Sequence, residues 1–201
     1  DELGAIHKVI HVDELEGAGI ENNPVNRCYL CKKYMFTKVK ELAHSLGIST
    51  ILEGTNADDL KQYRPGIKAI QELGLHSPLL EANMTKKEIR ELAADYDLKA
   101  ANKPSSPCLA TRFPYHTLLN YEEMRKVERI EDYLHACGFY NVRARIHNDL
   151  VRLEIDQDAF MKCMDYRQEI VLFIKELGYD YVTLDLEGFR SGSQDIKLEE
   201  K

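Results

Sequence analysis

Between Leu98 and Leu119 the chain loses all apolar periodicity and carries three prolines, Pro104, Pro107 and Pro114. Proline fixes φ and removes a backbone donor, so neither a helix nor an inner strand passes through such a stretch. A structureless segment of this length is either functional or a linker. It also holds Cys108 and Arg112. The chain therefore divides near residue 118, into a first domain over 1–118 and a second over 119–201. With 201 residues there is material for two small cores or one of middle size.

The first half alternates. Glu2-Leu3-Gly4 reads as the last turn of a helix with its glycine stop, and the apolar run His7 to Val12 suits a strand. A chain rarely starts on a helix end, so residues preceding Asp1 are expected to be missing. From Cys28 to Leu46 the apolar positions Val39, Leu42, Ala43 and Leu46 predict a helix closed by Gly47. Ile48 to Glu53 reads as a short strand, and Thr85 with Glu88 has the capping-box spacing of a helix reaching about Tyr96. Strand–helix–strand–helix order implies a parallel sheet under helices, an α/β fold.

The second half has another pattern. Asn120 opens a capped helix with Met124, Val127, Ile130 and Leu134 on one face, ending at Gly138. Val142, Ala144 and Ile146 alternate, as do Val151, Leu153 and Ile155, around an Asn148-Asp149 turn: a hairpin. A helix over 157–177 and a strand from Tyr181 to Leu186 complete a small α+β domain.

Charge narrows the function. With 27 basic and 34 acidic residues, the net charge of −7 argues against nucleic acid as a partner. No apolar run reaches the ~18 residues of a membrane span and no export signal opens the chain, so a soluble, cytoplasmic protein is expected. Five cysteines in that setting read as thiols or metal ligands, not a disulfide framework.

Cys28-Tyr29-Leu30-Cys31 is the sharpest local signal. Residues three apart on a helix share a face, so two thiolates can converge on a metal; two half-buried structural cysteines are the other reading. With no second CxxC, Cys108 is the candidate third ligand, and three thiolates leave an iron–sulfur cluster one open corner. Cys137 and Cys163 sit on amphipathic helices as core residues. Gly54-Thr55-Asn56-Ala57-Asp58-Asp59 directly follows a strand, where open α/β sheets bind small molecules, although an ordinary Asx-rich turn looks the same. No Walker-type phosphate loop accompanies it. Arg143 and Arg145 share one strand face, suited to phosphates or to solvent. Glu128 and Glu131 share a helix face where a solvated or salt-bridged role is the default. The turn Asp185–Ser193, with Arg190 and two serines, suits an anion or a plain loop.

Together these stretches resemble one family. They are Asn23-Pro24, Arg27-Cys28-Tyr29, Cys31-Lys32, Glu53–Asp59, Tyr63-Arg64-Pro65-Gly66, Ser77-Pro78-Leu79, Lys103-Pro104-Ser105, Cys108-Leu109-Ala110, Arg112–Tyr115, Thr183–Gly188 and Arg190-Ser191-Gly192. In order and over nearly the whole chain, they are similar to the LarE family of PP-loop, ATP-dependent sulfur transferases. The resemblance implies a PP-loop (adenine nucleotide alpha hydrolase-like) parallel-sheet domain followed by a smaller domain. It implies work on the nickel-pincer nucleotide cofactor of lactate racemase. ATP and Mg2+ adenylate a carboxylate of pyridinium-3,5-biscarboxylate mononucleotide, and sulfur then displaces AMP to leave a thiocarboxylate.

The residues carried over by this resemblance are as follows. Gly54, Thr55, Asn56 and Asp58 lie on the ATP side. Arg112, Arg143, Arg145, Arg190 and Ser191 face substrate phosphate, and Glu131 lies near the sulfur. Cys108 handles the sulfur. In one branch of the family that cysteine gives up its own sulfur; in the other, three cysteines hold a [4Fe-4S] cluster. Cys28 and Cys31 beside Cys108 point to the cluster branch. The family's SGGxDS loop is not in the chain, so the PP-loop domain is expected to be partial and weak in ATP binding by itself. Homo-oligomers are also implied. Two rival readings remain: a PP-loop tRNA-thiolating enzyme, and a non-catalytic metal or cluster module stapled by the three cysteines.

Overall fold

The computed structural model describes residues 4–62 and 64–193. Glu2, Leu3 and Tyr63, which belong to expectations above, lie outside them. The chain forms two compact units, Asp1–Leu92 and Ala93–Lys201.

In the first unit, α1 (Glu14–Ala18), α2 (Arg27–Ser45), α3 (Gly66–Leu73), α4 (Pro78–Glu81) and the start of α5 (Lys86–Asp95) carry the regular structure. α1 and α3 both pack on α2. Leu15, Ile20, Ala43, Ala69 and Ile70 are buried there. The helix expected from Cys28 is present, and Gly47 ends it at φ +72°. The two expected strands are not. Residues 7–12 are irregular and mostly exposed, and Ile48–Glu53 makes only an isolated parallel bridge, Leu52 with His76. A parallel strand is held by neighbours on both edges and helices on both faces. Among the described residues of this unit neither run has them, and Ile48 and Leu52 are exposed.

The second unit matches its sequence pattern more closely. α6 (Tyr121–Ala136) starts on Asn120, whose side chain accepts from the Glu123 amide at 2.8 Å. β1 (Val142–His147) and β2 (Leu150–Ile155) form the hairpin, turning at Asn148 with φ +56°. β3 (Tyr181–Leu184) then adds parallel to β2, in the order β1-β2-β3. Met124, Val127, Ile130 and Leu134 of α6 are buried, as are Val142, Ala144, Val151 and Ile155.

The helix expected over 157–177 is broken into α7 (Phe160–Asp165) and α8 (Arg167–Glu176), with Tyr166 between them. Tyr166 meets Phe139 edge-on at 6.4 Å, and the bend keeps Cys163 as well as Ile170 and Ile174 in the core. The last strand stops two residues early, because Gly188 folds the chain back over β2. Its φ is +72° and an added Cβ would lie 2.9 Å from the Ile155 carbonyl, so only glycine fits. The stretch around Cys108 packs with the second unit, so the contacts divide at 92/93, upstream of the sequence boundary near 118.

Candidate functional site

Cys28 and Cys31 occupy the first turns of α2 and are both half-buried. Cys31 Sγ lies 3.5 Å from Met35 Sδ. Between the cysteines, Tyr29 donates to Glu72 of α3 at 2.7 Å, and Lys33 donates to both at 2.9 Å. These bonds raise the Lys33 pKa, so the residue stays charged and ties α2 to α3. As ligands the two thiols fit a soft metal in kind: one turn apart, on a helix N-terminus that favours thiolate. Among the described residues, no group of three or more His, Cys, Asp or Glu side chains converges to hold a metal.

The turn after Glu53 is prefolded by its own side chains. The Glu53 carboxylate accepts from the Thr55 amide at 3.1 Å, the Thr55 hydroxyl at 2.8 Å and the Ser77 hydroxyl. Asn56 accepts from the Asp58 amide at 3.0 Å and Asp59 accepts from the Asn56 amide at 3.1 Å, a reciprocal cap on the 3-10 turn Ala57–Lys61. Asp58 accepts from the Lys61 ammonium and the Lys86 amide, both of which hold its carboxyl below the usual range. Thr55 is buried, whereas Gly54 is exposed with open space above it. Gly54, Thr55, Asn56 and Asp58 thus form one rigid turn whose glycine can be approached closely.

The second unit contains a denser constellation. Cys108 is exposed and caps the 3-10 turn Leu109–Arg112. Arg112 is 2% exposed, and its Nε and Nη2 each donate to Glu131 at 2.7 Å, a forked pair. Its Nη1 donates to Thr111 Oγ1 at 2.7 Å and to the carbonyls of Pro107 and Cys108 at 3.3 and 3.4 Å. Glu131 also accepts from the Ala144 amide at 2.9 Å. Glu128, on the same helix, is exposed. The solvated alternative for Glu131 is therefore corrected, because Arg112 and the β1 amide draw it inward.

The same correction applies to the strand arginines. Arg143 and Arg145 are buried, since the loop that carries Cys108 covers the strand face that alternation assigns to solvent. Arg145 is paired with Glu154, Nε and Nη2 each at 3.0 Å. Arg143 has no carboxylate partner among the described residues. It donates to the carbonyls of Val142 and Ser105, the latter at 2.8 Å, and lies 4.9 Å from the Phe189 ring centre. Burial first, and Arg112 second, bring its pKa down to about 10. Arg143 is thus a buried cation beside Arg112 and Arg145, with Glu131 and Glu154, each forked to another arginine, near enough to offset part of that charge.

Arg190 joins this group at one remove, sharing Asp185 with Arg152, which in turn pairs with Glu154. Arg190 is bound by Glu187 at 2.8 Å and Asp185 at 3.8 Å, and lines an open cavity of about 820 Å³ with Asp156, Gln157 and Asp158. Ser191 is exposed. Ser193 is the serine that reaches the arginines, accepting from Arg145 at 2.7 Å. Glu154, fully buried, is the residue that pattern reading missed. Its signal was an acidic residue facing Arg143 across the hairpin register, inside an apolar strand.

No family model matches the chain. Three curated proteins are similar over almost all of it. A protein of Synechocystis sp. PCC 6803, itself uncharacterised, is 37% identical over 94% of this chain and 72% of its own length. The pyridinium-3,5-bisthiocarboxylic acid mononucleotide synthase of Lactiplantibacillus plantarum is 36% identical over 98% of this chain and 72% of its own length. An uncharacterised protein of Methanocaldococcus jannaschii is 33% identical over 92% and 70%.

Proposed function

From the premise that this chain belongs to the LarE family, that of the pyridinium-3,5-bisthiocarboxylic acid mononucleotide synthase, we propose that it converts a carboxylate of a pyridinium mononucleotide into a thiocarboxylate. A carboxylate oxygen is a poor leaving group, so ATP first transfers AMP to it with loss of pyrophosphate. Sulfur then bonds to the carboxyl carbon and the oxygen leaves with AMP. The PP-loop domain would supply the nucleotide side through Gly54, Thr55, Asn56 and Asp58, where Mg2+, when bound, would offset phosphate charge.

In this reading Arg143 is the anchor of the substrate phosphate, with Arg112 and Arg145 beside it and Arg190 and Ser191 at the rim. The observation that carries it is Arg143 of β1, buried without an ion pair among the described residues and donating to the Ser105 carbonyl of the loop that presents the exposed thiol of Cys108. Glu131 orders that loop through Arg112. Cys28, Cys31 and Cys108 would hold the [4Fe-4S] cluster, which when bound supplies sulfide for transfer.

Anaerobic iron and sulfide analysis of wild type and of Cys28→Ala, Cys31→Ala and Cys108→Ala, followed by thiocarboxylate assay, tests the reading. Every variant should lose both iron and turnover. Loss of iron with sulfur transfer intact defeats the cluster as donor. Dependence on Cys108 alone makes that residue the donor of its own sulfur.

A further inference from the structure

Glu154 lies within β2 and is 0% exposed. Its two oxygens hold the Arg145 fork, and the Ser193 hydroxyl donates back to the carboxylate at 3.0 and 3.1 Å while accepting from Arg145. With Nε and Nη2 engaged, Arg145 Nη1 donates to the Thr111 carbonyl. A parallel line runs from Glu131 through Arg112 to the carbonyls of Pro107 and Cys108. Cys108 and Thr111 are the two ends of one turn, joined by the Thr111 amide donating to the Cys108 carbonyl at 3.0 Å.

A 3-10 turn closed by such bonds is soft by itself. A guanidinium can hold a carbonyl in one place only if something fixes its own plane, and a forked carboxylate does that. We propose that Glu154 is a positioning residue for Cys108, acting through Arg145 on the Thr111 carbonyl, opposite the Glu131–Arg112 line at the other end of the turn. The proposal rests on Cys108 being the sulfur-handling residue. Holding both ends of the turn sets where the thiol points, and small displacements of a reacting atom are costly in rate. It also gives Arg145 a task other than holding phosphate.

Hydrogen exchange on the full chain tests the idea directly. In Glu154→Gln the amides of residues 109–113 should exchange about tenfold faster, while the paired amides of β1 and β2 keep their protection. Unchanged exchange in the turn overturns the proposal. So does loosening of turn and hairpin together, which is what a merely structural carboxylate would give. Should that variant fold poorly, Ser193→Ala leaves the charges balanced and should speed the same amides by about threefold.

Kinetics with ATP and the biscarboxylate mononucleotide give a second readout. In Glu154→Gln, kcat should fall with KM for the mononucleotide within about twofold of wild type. A raised KM at unchanged kcat would instead mean that Glu154 serves only the place of Arg145 beside the substrate phosphate, and would overturn the proposal. If wild type forms no thiocarboxylate, the functional reading fails, while the exchange pattern still decides whether Glu154 holds the turn.

Discussion

Arg112 and Arg143 are both buried arginines of one small cluster, yet their charges are handled in opposite ways. Arg112 is matched by Glu131, whereas Arg143 rests on two carbonyls and a ring. Breaking a buried pair strands the other charge, so Arg112→Met should cost about 3–5 kcal/mol in denaturant unfolding. Arg143→Met strands no carboxylate and should cost on the order of 1 kcal/mol, but should abolish mononucleotide binding measured by calorimetry.

The pH dependence of Arg143 follows from its lowered pKa. Folding favours its neutral form, so its charge opposes folding at neutral pH; that opposition begins to ease once pH passes about 10, where the folded form sheds the proton, and is gone only above the ordinary arginine range, where the unfolded form does so too. Anion binding at Arg143 should weaken progressively above about 10. A normal affinity above that pH would place the anion elsewhere. None of this charge bookkeeping was legible from residue type. Period-two alternation assigned Arg143 and Arg145 to a common face, but only packing decides whether that face meets water.

At the level of elements, α6 and the hairpin carry the second unit. Ile130 and Leu134 are both 0% exposed against the sheet. Truncating Ile130 to Ala should cost about 2–5 kcal/mol, with a lowered urea midpoint and unchanged slope. These elements were legible because each has a local signature: the Asn120 cap, the 3.6-residue apolar spacing and the Asn148-Asp149 turn. The first unit was harder. Ile48–Glu53 has the residues of a strand, but a strand is completed by neighbours, and the sequence of the run does not contain them. The 157–177 helix failed for a related reason. Its apolar spacing continues past Tyr166, and the bend comes from what Tyr166 packs against.

Across the whole molecule, the residues singled out by chemistry fall into both units: Cys28, Cys31 and the Gly54–Asp58 turn in the first, Cys108 and the arginines in the second. The sequence marked the proline-bracketed loop as the dividing line because regular patterning resumes after it. In the fold, the carbonyls of Ser105, Pro107, Cys108 and Thr111 are held by arginines of the second unit, which claims the loop.

One bond in that loop's surroundings bears on solution behaviour. β1 is an outer strand of its sheet, and the Ala144 amide donates to Glu131 where a further strand would pair. An unanswered amide row on an outer strand is a template for another chain. Glu131→Ala uncovers it and should give concentration-dependent aggregates by light scattering. Glu131→Gln keeps a neutral acceptor there and should stay monodisperse. The carboxylate that orders the cysteine loop is, by the same contact, a guard against clumping.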